Sequence, residues 1–311
     1  MPKLLLVLEL EGSPTKDLVN LVNHYQNSKN IKFELWLITN DPSFRNCFDY
    51  GAQKIFQNTH KNPLETVFAE LISNNSDYIF FLDSFYKIDH AYSDNILALL
   101  QSSNNLASAR GSILTKIQDG ETIQENLAIL GSSPANFYDL ALNKKQRYHF
   151  RKPYFVLANY LMGSIFKLAP IKELAKNNFK PLNLHYFLGA DLSFLLQHMG
   201  FNHMYLPISK ATRNVPSKYS IYLKKISNHL RFSDKLILKY IYSQTILDYA
   251  SFYMYLLRKI ITNPNFLTEL SQFKNNLQNL KESSRIRHQC LNPKAEIISF
   301  ELEKHCLIII E

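Results

Sequence analysis

Acids that end apolar runs are the first candidates for chemistry in this sequence. The stretch Ser76-Asp77-Tyr78-Ile79-Phe80-Phe81-Leu82-Asp83-Ser84-Phe85 is apolar or aromatic from Tyr78 to Leu82 and then stops on an acid. A short unbroken apolar run reads as a strand buried on both faces, as in a parallel sheet. Ligands of open α/β sheets bind beyond the carboxyl ends of such strands. Asp83 therefore stands where a carboxylate could hold a metal or a ribose hydroxyl. The competing role is that of an acid that closes a strand and starts a turn, the commoner outcome for a single Asp. Glu9 and Glu11 lie near the end of the first apolar run, where they line a nucleoside pocket or are solvated. Asp41 reads equally as a contact to a base or ribose and as an Asx turn ahead of Pro42. Asp191 precedes the helical pattern from Leu192 and suits a helix N-cap.

Other chemistries leave no trace. With eight glycines in 311 residues, neither G-x-G-x-x-G nor G-x-x-x-x-G-K occurs. Ten histidines show no H-E-x-x-H or H-x-x-x-H spacing, so no zinc site is expected, and His198 and His203 read as surface or cap residues. Cys47, Cys290 and Cys306 fit neither a disulfide framework nor C-x-x-C metal spacing. The chain is 46% hydrophobic and 20% charged, enough for a sizeable core, and it carries a net charge of +9. A basic surface attracts phosphates of any kind. The basic residues form no recognisable nucleic-acid module, so a nucleic-acid partner is not expected. Lys144, Lys145 and Arg147 suit a solvated loop better than an acceptor contact.

The elements that must position these acids follow from periodicity. Lys3 to Leu10, Ile31 to Thr39, Lys54 to Phe56 and Tyr78 to Leu82 read as strands. Thr15 to Gln26 and Pro63 to Ser73 have helical spacing, so the order is β-α-β-β-α-β and the sheet is mostly parallel. Further helices are expected at His90 to Gln101, Pro170 to Asn177 and from Gly189 to Gly200. Leu106 to Lys116 suggests a strand pair, and Tyr205 to Ile208 a short strand. The first eight residues are too short an apolar run for a signal or a span, and no other stretch reaches the roughly 18 apolar residues a span needs. From 217 to about 290 aromatic and basic residues interleave at helical spacing.

Four pieces in order resemble the motifs of family 2 glycosyltransferases of the GT-A fold, nearest their rhamnosyltransferase-like branch. They are Ile38-Thr39-Asn40-Asp41-Pro42-Ser43, the stretch ending at Asp83-Ser84-Phe85, Leu161-Met162-Gly163-Ser164-Ile165-Phe166, and Gly189-Ala190-Asp191-Leu192-Ser193-Phe194-Leu195 with Gly200-Phe201 and Leu206-Pro207. The resemblance implies a GT-A domain over 1–216, a helical region over 217–290 and a tail over 291–311. It implies inverting transfer from a nucleotide diphosphate sugar to a glycan or lipid-linked acceptor, as in polysaccharide assembly at the cell envelope. Asp191 would be the general base, Asp41 would touch the nucleoside, and Asp83 would hold Mg²⁺ or Mn²⁺ on the diphosphate.

Departures from the pattern qualify that picture. Phe85 stands where the family's metal motif has its last Asp, and Gly189-Ala190 replaces a pair of acids. Ala211-Thr212-Arg213 replaces the usual His after the last strand. Either Arg213, Lys210 or Lys218 clamps the phosphates instead, or the chain is an inactive relative that serves an active transferase as partner or scaffold. The expected setting is the cytoplasm, at the inner face of the cell membrane. There the C-terminal helices would meet anionic lipid, pack on the catalytic domain or pair in a homodimer.

Overall fold

In the computed structural model, residues 1–48, 51–58, 63–117, 122–124, 129–133, 136–139, 147–149, 153–177, 182, 184, 187–215, 234–243, 245–262 and 308–310 are described. Strand β1 (Lys3–Leu10) pairs in parallel with β2 (Lys32–Thr39) on one side and β4 (Tyr78–Asp83) on the other, and β3 (Lys54–Phe56) extends the β2 side. Helix α1 (Lys16–Gln26) joins β1 to β2; a 3₁₀ turn, Pro42–Cys47, lies between β2 and β3; and α2 (Pro63–Ser73) leads to β4. The chain thus leaves β1 in one direction for β2 and β3 and returns past it to β4. The boundary between β1 and β4 is where the strand order reverses.

Alternation along the strands separates two cores. Leu5 and Val7, Trp36 and Ile38, Ile79 and Phe81 face α2; Leu4, Leu6 and Leu8, Leu35 and Leu37, Phe80 and Leu82 face α1. That placement is what right-handed crossovers in opposite directions produce. All six β4 residues are buried, as a strand covered on both faces requires.

After β4 come β5 (Tyr86–Lys87), α3 (His90–Ser102) and β6 (Leu106–Ile117). The expected strand pair at 106–116 is one long strand, with β7 (Thr122–Gln124) folded back on its end. Strands β8 (Ile129–Ser133) and β9 (Asn136–Asp139) form a separate hairpin, and β10 (Arg147–His149) pairs with β14 (Ile308–Ile310). Strand β11 (Tyr154–Val156) precedes β12 (Ser164–Lys167), which runs antiparallel between β4 and β6. Helices α4 (Leu168–Lys176) and α5 (Leu188–His198) follow. The short strand expected at 205–208 is the middle of β13 (Asn202–Val215), fourteen residues long. Its irregular stretch around Pro207 let only the central apolar part show in the sequence. The main sheet runs β11-β13-β6-β12-β4-β1-β2-β3. The expected α/β class, with helices on both faces of a central sheet, is what the structure has; the sheet is mixed, with β1 to β4, β6 and β13 running one way and β5, β7, β11 and β12 the other.

Of the C-terminal region, α6 (residues 234–242) and α7 (Ile246–Thr262) are described, and no described helix is long and apolar enough to cross a membrane. Leu238, Ile241 and Tyr242 of α6 join the core that holds α2, α4 and α5. Lys144, Lys145, Lys218, Cys290 and Cys306 lie outside the described residues, as do 217–233 and 263–307.

Candidate active site at the strand tips

Strands β1 and β4 end side by side on acids: Glu9 and Asp83 are register partners. Their positions in the alternation match those of Val7 and Phe81, so both side chains belong to the α2 side of the sheet. In open α/β sheets the crevice beyond the strand tips at a reversal of strand order is where ligands bind.

Arg213 completes the group from 130 residues away. The turn Ser84-Phe85 leads straight into β5, and β5 pairs with the end of β13, setting Arg213 against Tyr86. Asn214 N–H also donates to the Phe85 carbonyl at 2.8 Å. The guanidinium then reaches the Asp83 carboxylate, with Nε donating to Oδ2 at 2.8 Å and Nη2 standing 2.5 Å from the same oxygen. It also lies over the rings of Phe85 and Tyr86, at 6.0 and 5.8 Å. The other oxygen, Oδ1, accepts the Phe85 backbone N–H at 2.9 Å. The replacement of an acid by Phe85 thus has a local sense: the ring walls the guanidinium, and the backbone anchors Asp83.

Glu9 accepts from Asn58 Nδ2 at 3.3 Å. Burial, then the neighbouring charges of Asp83 and Glu11, push its carboxyl up to about 7, against the smaller opposing pull of Arg213 and Asn58. Near neutrality this group is divided between the acid, which donates a hydrogen bond, and the carboxylate, which only accepts.

These residues do not fit the divalent metal expected at Asp83. A hard cation collects about six oxygen ligands, whereas both Asp83 oxygens are engaged by Arg213 and the Phe85 amide. Among the described residues no group of three acid, His or Cys side chains converges on a point. The positive charge at this tip is the guanidinium.

The remaining candidates are Asp41, Lys210 and Asp191. Asp41 is exposed and caps the 3₁₀ turn, its Oδ1 accepting from Ser43 N at 2.9 Å, and those hydrogen bonds hold its carboxyl below the usual range. This is the Asx-type arrangement weighed in the sequence. Lys210 is exposed on β13.

Asp191 is fully buried, and it is not an N-cap: α5 starts at Leu188, which puts Asp191 in its first turn. Its Oδ1 accepts the Tyr242 hydroxyl at 2.8 Å. Tyr242 is in turn packed edge-on against Phe194 and stacked with His198. Asp191 belongs to the α5 layer on the same side of the sheet as Asp83 and Glu9.

Three features that hold α5 in place escaped the sequence reading. His203, expected near the surface, is fully buried in β13, and His198 is nearly so. His203 Nε2 lies 2.8 Å from the Ser193 carbonyl, which can only accept, so Nε2 carries the proton and Nδ1 accepts from the Ser108 hydroxyl at 2.8 Å. Burial pulls its pKa down to about 4, so the ring is neutral. Asn159 ties in the loop before β12, with Nδ2 donating to Ser108 Oγ at 2.9 Å and its backbone N–H to Ser193 Oγ at 3.2 Å. Gly189 is the third feature: a Cβ there would stand 2.2 Å from the Leu161 backbone nitrogen, so only glycine lets α5 approach this loop.

The fold and site define an α/β protein with a cluster of charged side chains at the strand-order reversal. No family model matches the chain, and no curated protein matches it. Among solved structures it is similar to the crystal structure of GalNAc-T7 with UDP, GalNAc and Mn²⁺, with a TM-score of 0.44 and 11% identity over 69% of this chain and 44% of that one. The chain spans less than half the length of that protein, and a likeness this loose assigns it no activity.

Proposed function

We propose that this protein is a glycosyltransferase of the GT-A type that binds a nucleotide diphosphate sugar at the tips of β1 and β4. In this reading it transfers the sugar, with inversion, to a glycan or lipid-linked acceptor. The observation that carries the proposal is the pairing of Glu9 with Asp83 at the strand-order reversal, with Arg213 fixed beside them.

Arg213 is the cation for the diphosphate, matched in geometry to phosphate oxygens and held in orientation by Asp83. Glu9 offers a ribose hydroxyl both a donor and an acceptor. Asp41, at the rim after β2, would meet the nucleoside. In the transfer step the acceptor oxygen bonds to the anomeric carbon as the bond from that carbon to the diphosphate oxygen breaks. The electron pair leaves with the diphosphate, where Arg213 offsets the developing charge. The acceptor proton passes to a base, the role proposed for Asp191 on the ordered motifs. No step in this reading runs through a metal, so the ordered motifs support the general transferase chemistry and not its metal. The rhamnosyltransferase-like branch and the cytoplasmic setting rest on the sequence resemblance.

One observation favours the second reading, an inactive relative that partners an active transferase: the Asp191 carboxylate is buried and bonded to Tyr242. Release of nucleoside diphosphate from UDP-, GDP- and dTDP-sugars, measured with EDTA present, separates the two. The transferase reading expects turnover of at least one donor and its loss in Asp191→Asn. Nucleotide binding without turnover of any donor, with or without acceptor glycans, would favour the partner reading.

A further inference from the structure

Helix α7 turns the wrong side outward for a helix of a soluble protein. At 100° per residue, Tyr249, Ile260, Tyr253, Ile246, Leu257, Ala250, Ile261, Met254 and Leu247 fall in one continuous arc of about 160°. No charged residue lies in that arc. The arc is exposed: Ile246 is 87%, Ile261 82%, Leu247 81% and Met254 66% open to solvent. The inward side is held by Phe252, which is buried and tilted against Tyr240 with ring centroids 5.8 Å apart, and by Tyr255 under the Lys239 ammonium at 5.7 Å. Asp248 lies on that inward half.

The helix is specified locally, without help from its apolar arc. Thr245 and Asp248 form a reciprocal cap: Asp248 N–H donates to Thr245 Oγ1 at 3.1 Å, and Thr245 N–H to Asp248 Oδ2 at 3.0 Å. Single exposed apolar residues are ordinary, but eight large ones in a contiguous stripe mark an interaction surface.

We infer that α7 docks on an anionic lipid surface, lying in the plane of the interface with this arc in the acyl boundary. The margins of the arc are built for that position. Tyr249 edges one side, where a phenol ring sits at headgroup level, and the exposed Arg258 lies just beyond the other, where its stem can follow the apolar face and its charge reach phosphate. The helix carries two basic residues against one acid, and the chain's net charge of +9 complements anionic headgroups. A second copy of the chain fits less well, because it would set one net charge of +9 against another. This inference is independent of the transferase reading and stands or falls without it.

The test is co-sedimentation of the full chain with phosphatidylcholine vesicles, either pure or mixed with phosphatidylglycerol at about one lipid in three. The wild type is expected to partition onto the mixed vesicles, less onto the pure ones, and less again in about 0.5 M salt. The double variant Met254→Glu, Leu257→Glu is expected to partition about tenfold or more weakly with unchanged thermal unfolding, since both side chains are exposed. Three results would overturn the inference. The wild type could ignore both vesicle types; the double variant could bind as well as the wild type; or the wild type could be a dimer in solution that this variant dissociates, which would make a second copy the occupant.

Discussion

Replacing Arg213 by Met keeps the side-chain stem and removes the positive charge paired with the Asp83 carboxylate. Asp83 is 8% exposed and Arg213 24%, so the pair is shielded but water reaches the guanidinium. Breaking a fully buried pair costs about 3–5 kcal/mol. Discounted for that partial exposure, the loss here is about 2 kcal/mol at pH 8. The variant also leaves two carboxyl groups, Glu9 and Asp83, adjacent in the β1–β4 register with no guanidinium between them and solvent. Glu9, already pushed up to about 7 by burial and its acidic neighbours, then loses the opposing pull of Arg213 and favours its protonated form more strongly still. The loss should therefore be smaller at pH 5.5 than at pH 8. Urea denaturation of wild type and variant at the two pH values measures this directly. Asp83→Asn in the Arg213→Met background removes one of the two charges and should recover part of the loss. A variant within about 0.5 kcal/mol of wild type at pH 8, the range of an ordinary surface substitution, would refute the reasoning. So would a larger loss at pH 5.5.

Glu9 titrates near 7 in the folded chain against an ordinary 4.5, chiefly through burial. Its charged form is thus disfavoured by the fold: stability is intact below pH 4.5 and falls as pH rises through 7. Glu9→Gln should flatten that decline, gaining at most about 3 kcal/mol at pH 8 and almost nothing at pH 4.5, as denaturation curves would show. His203→Ala strands the Ser108 hydroxyl and the Ser193 carbonyl beside a new cavity. It should cost about 2–4 kcal/mol at pH 7 and less at pH 4, where the native ring pays to stay neutral in the fold. Gly189→Ala drives a methyl onto the backbone of Tyr160 and Leu161 at 2.5 and 2.2 Å. With no flexible side chain to yield, calorimetry should show a loss of about 3 kcal/mol, and α5 should shift with it.

The sheet was legible because its central strands are long apolar runs with one meaning. Tyr78 to Leu82 has no polar residue to give it a second reading, and the helices α1 and α2 announce themselves by their spacing. Asp83 and Glu9 were visible as acids ending such runs. Their partnership was not, since it depends on which strands become neighbours. Arg213 was one of three basic candidates. Only the antiparallel pairing of β5 with the far end of β13 selects it, a contact across 130 residues that no local pattern encodes. The engagement of Asp83 was hidden for the same reason: the sequence shows that an acid is missing at Phe85 but not that a guanidinium sits against the remaining carboxylate. His203 was misplaced because a histidine in a polar-looking segment gives no sign of the Ser108, Asn159 and Ser193 partners that make its burial tolerable. Asp191 looked like a cap because the helix begins four residues earlier than its polar-to-apolar boundary suggests.

Isothermal titration of UDP, GDP and dTDP into the full chain, with EDTA present and again with Mn²⁺, tests the strand-tip site most directly. The account predicts that at least one nucleoside diphosphate binds in EDTA, that Mn²⁺ leaves its affinity nearly unchanged, and that Arg213→Met weakens it about tenfold or more. Binding that requires Mn²⁺, binding indifferent to Arg213, or no binding of any of the three would contradict it.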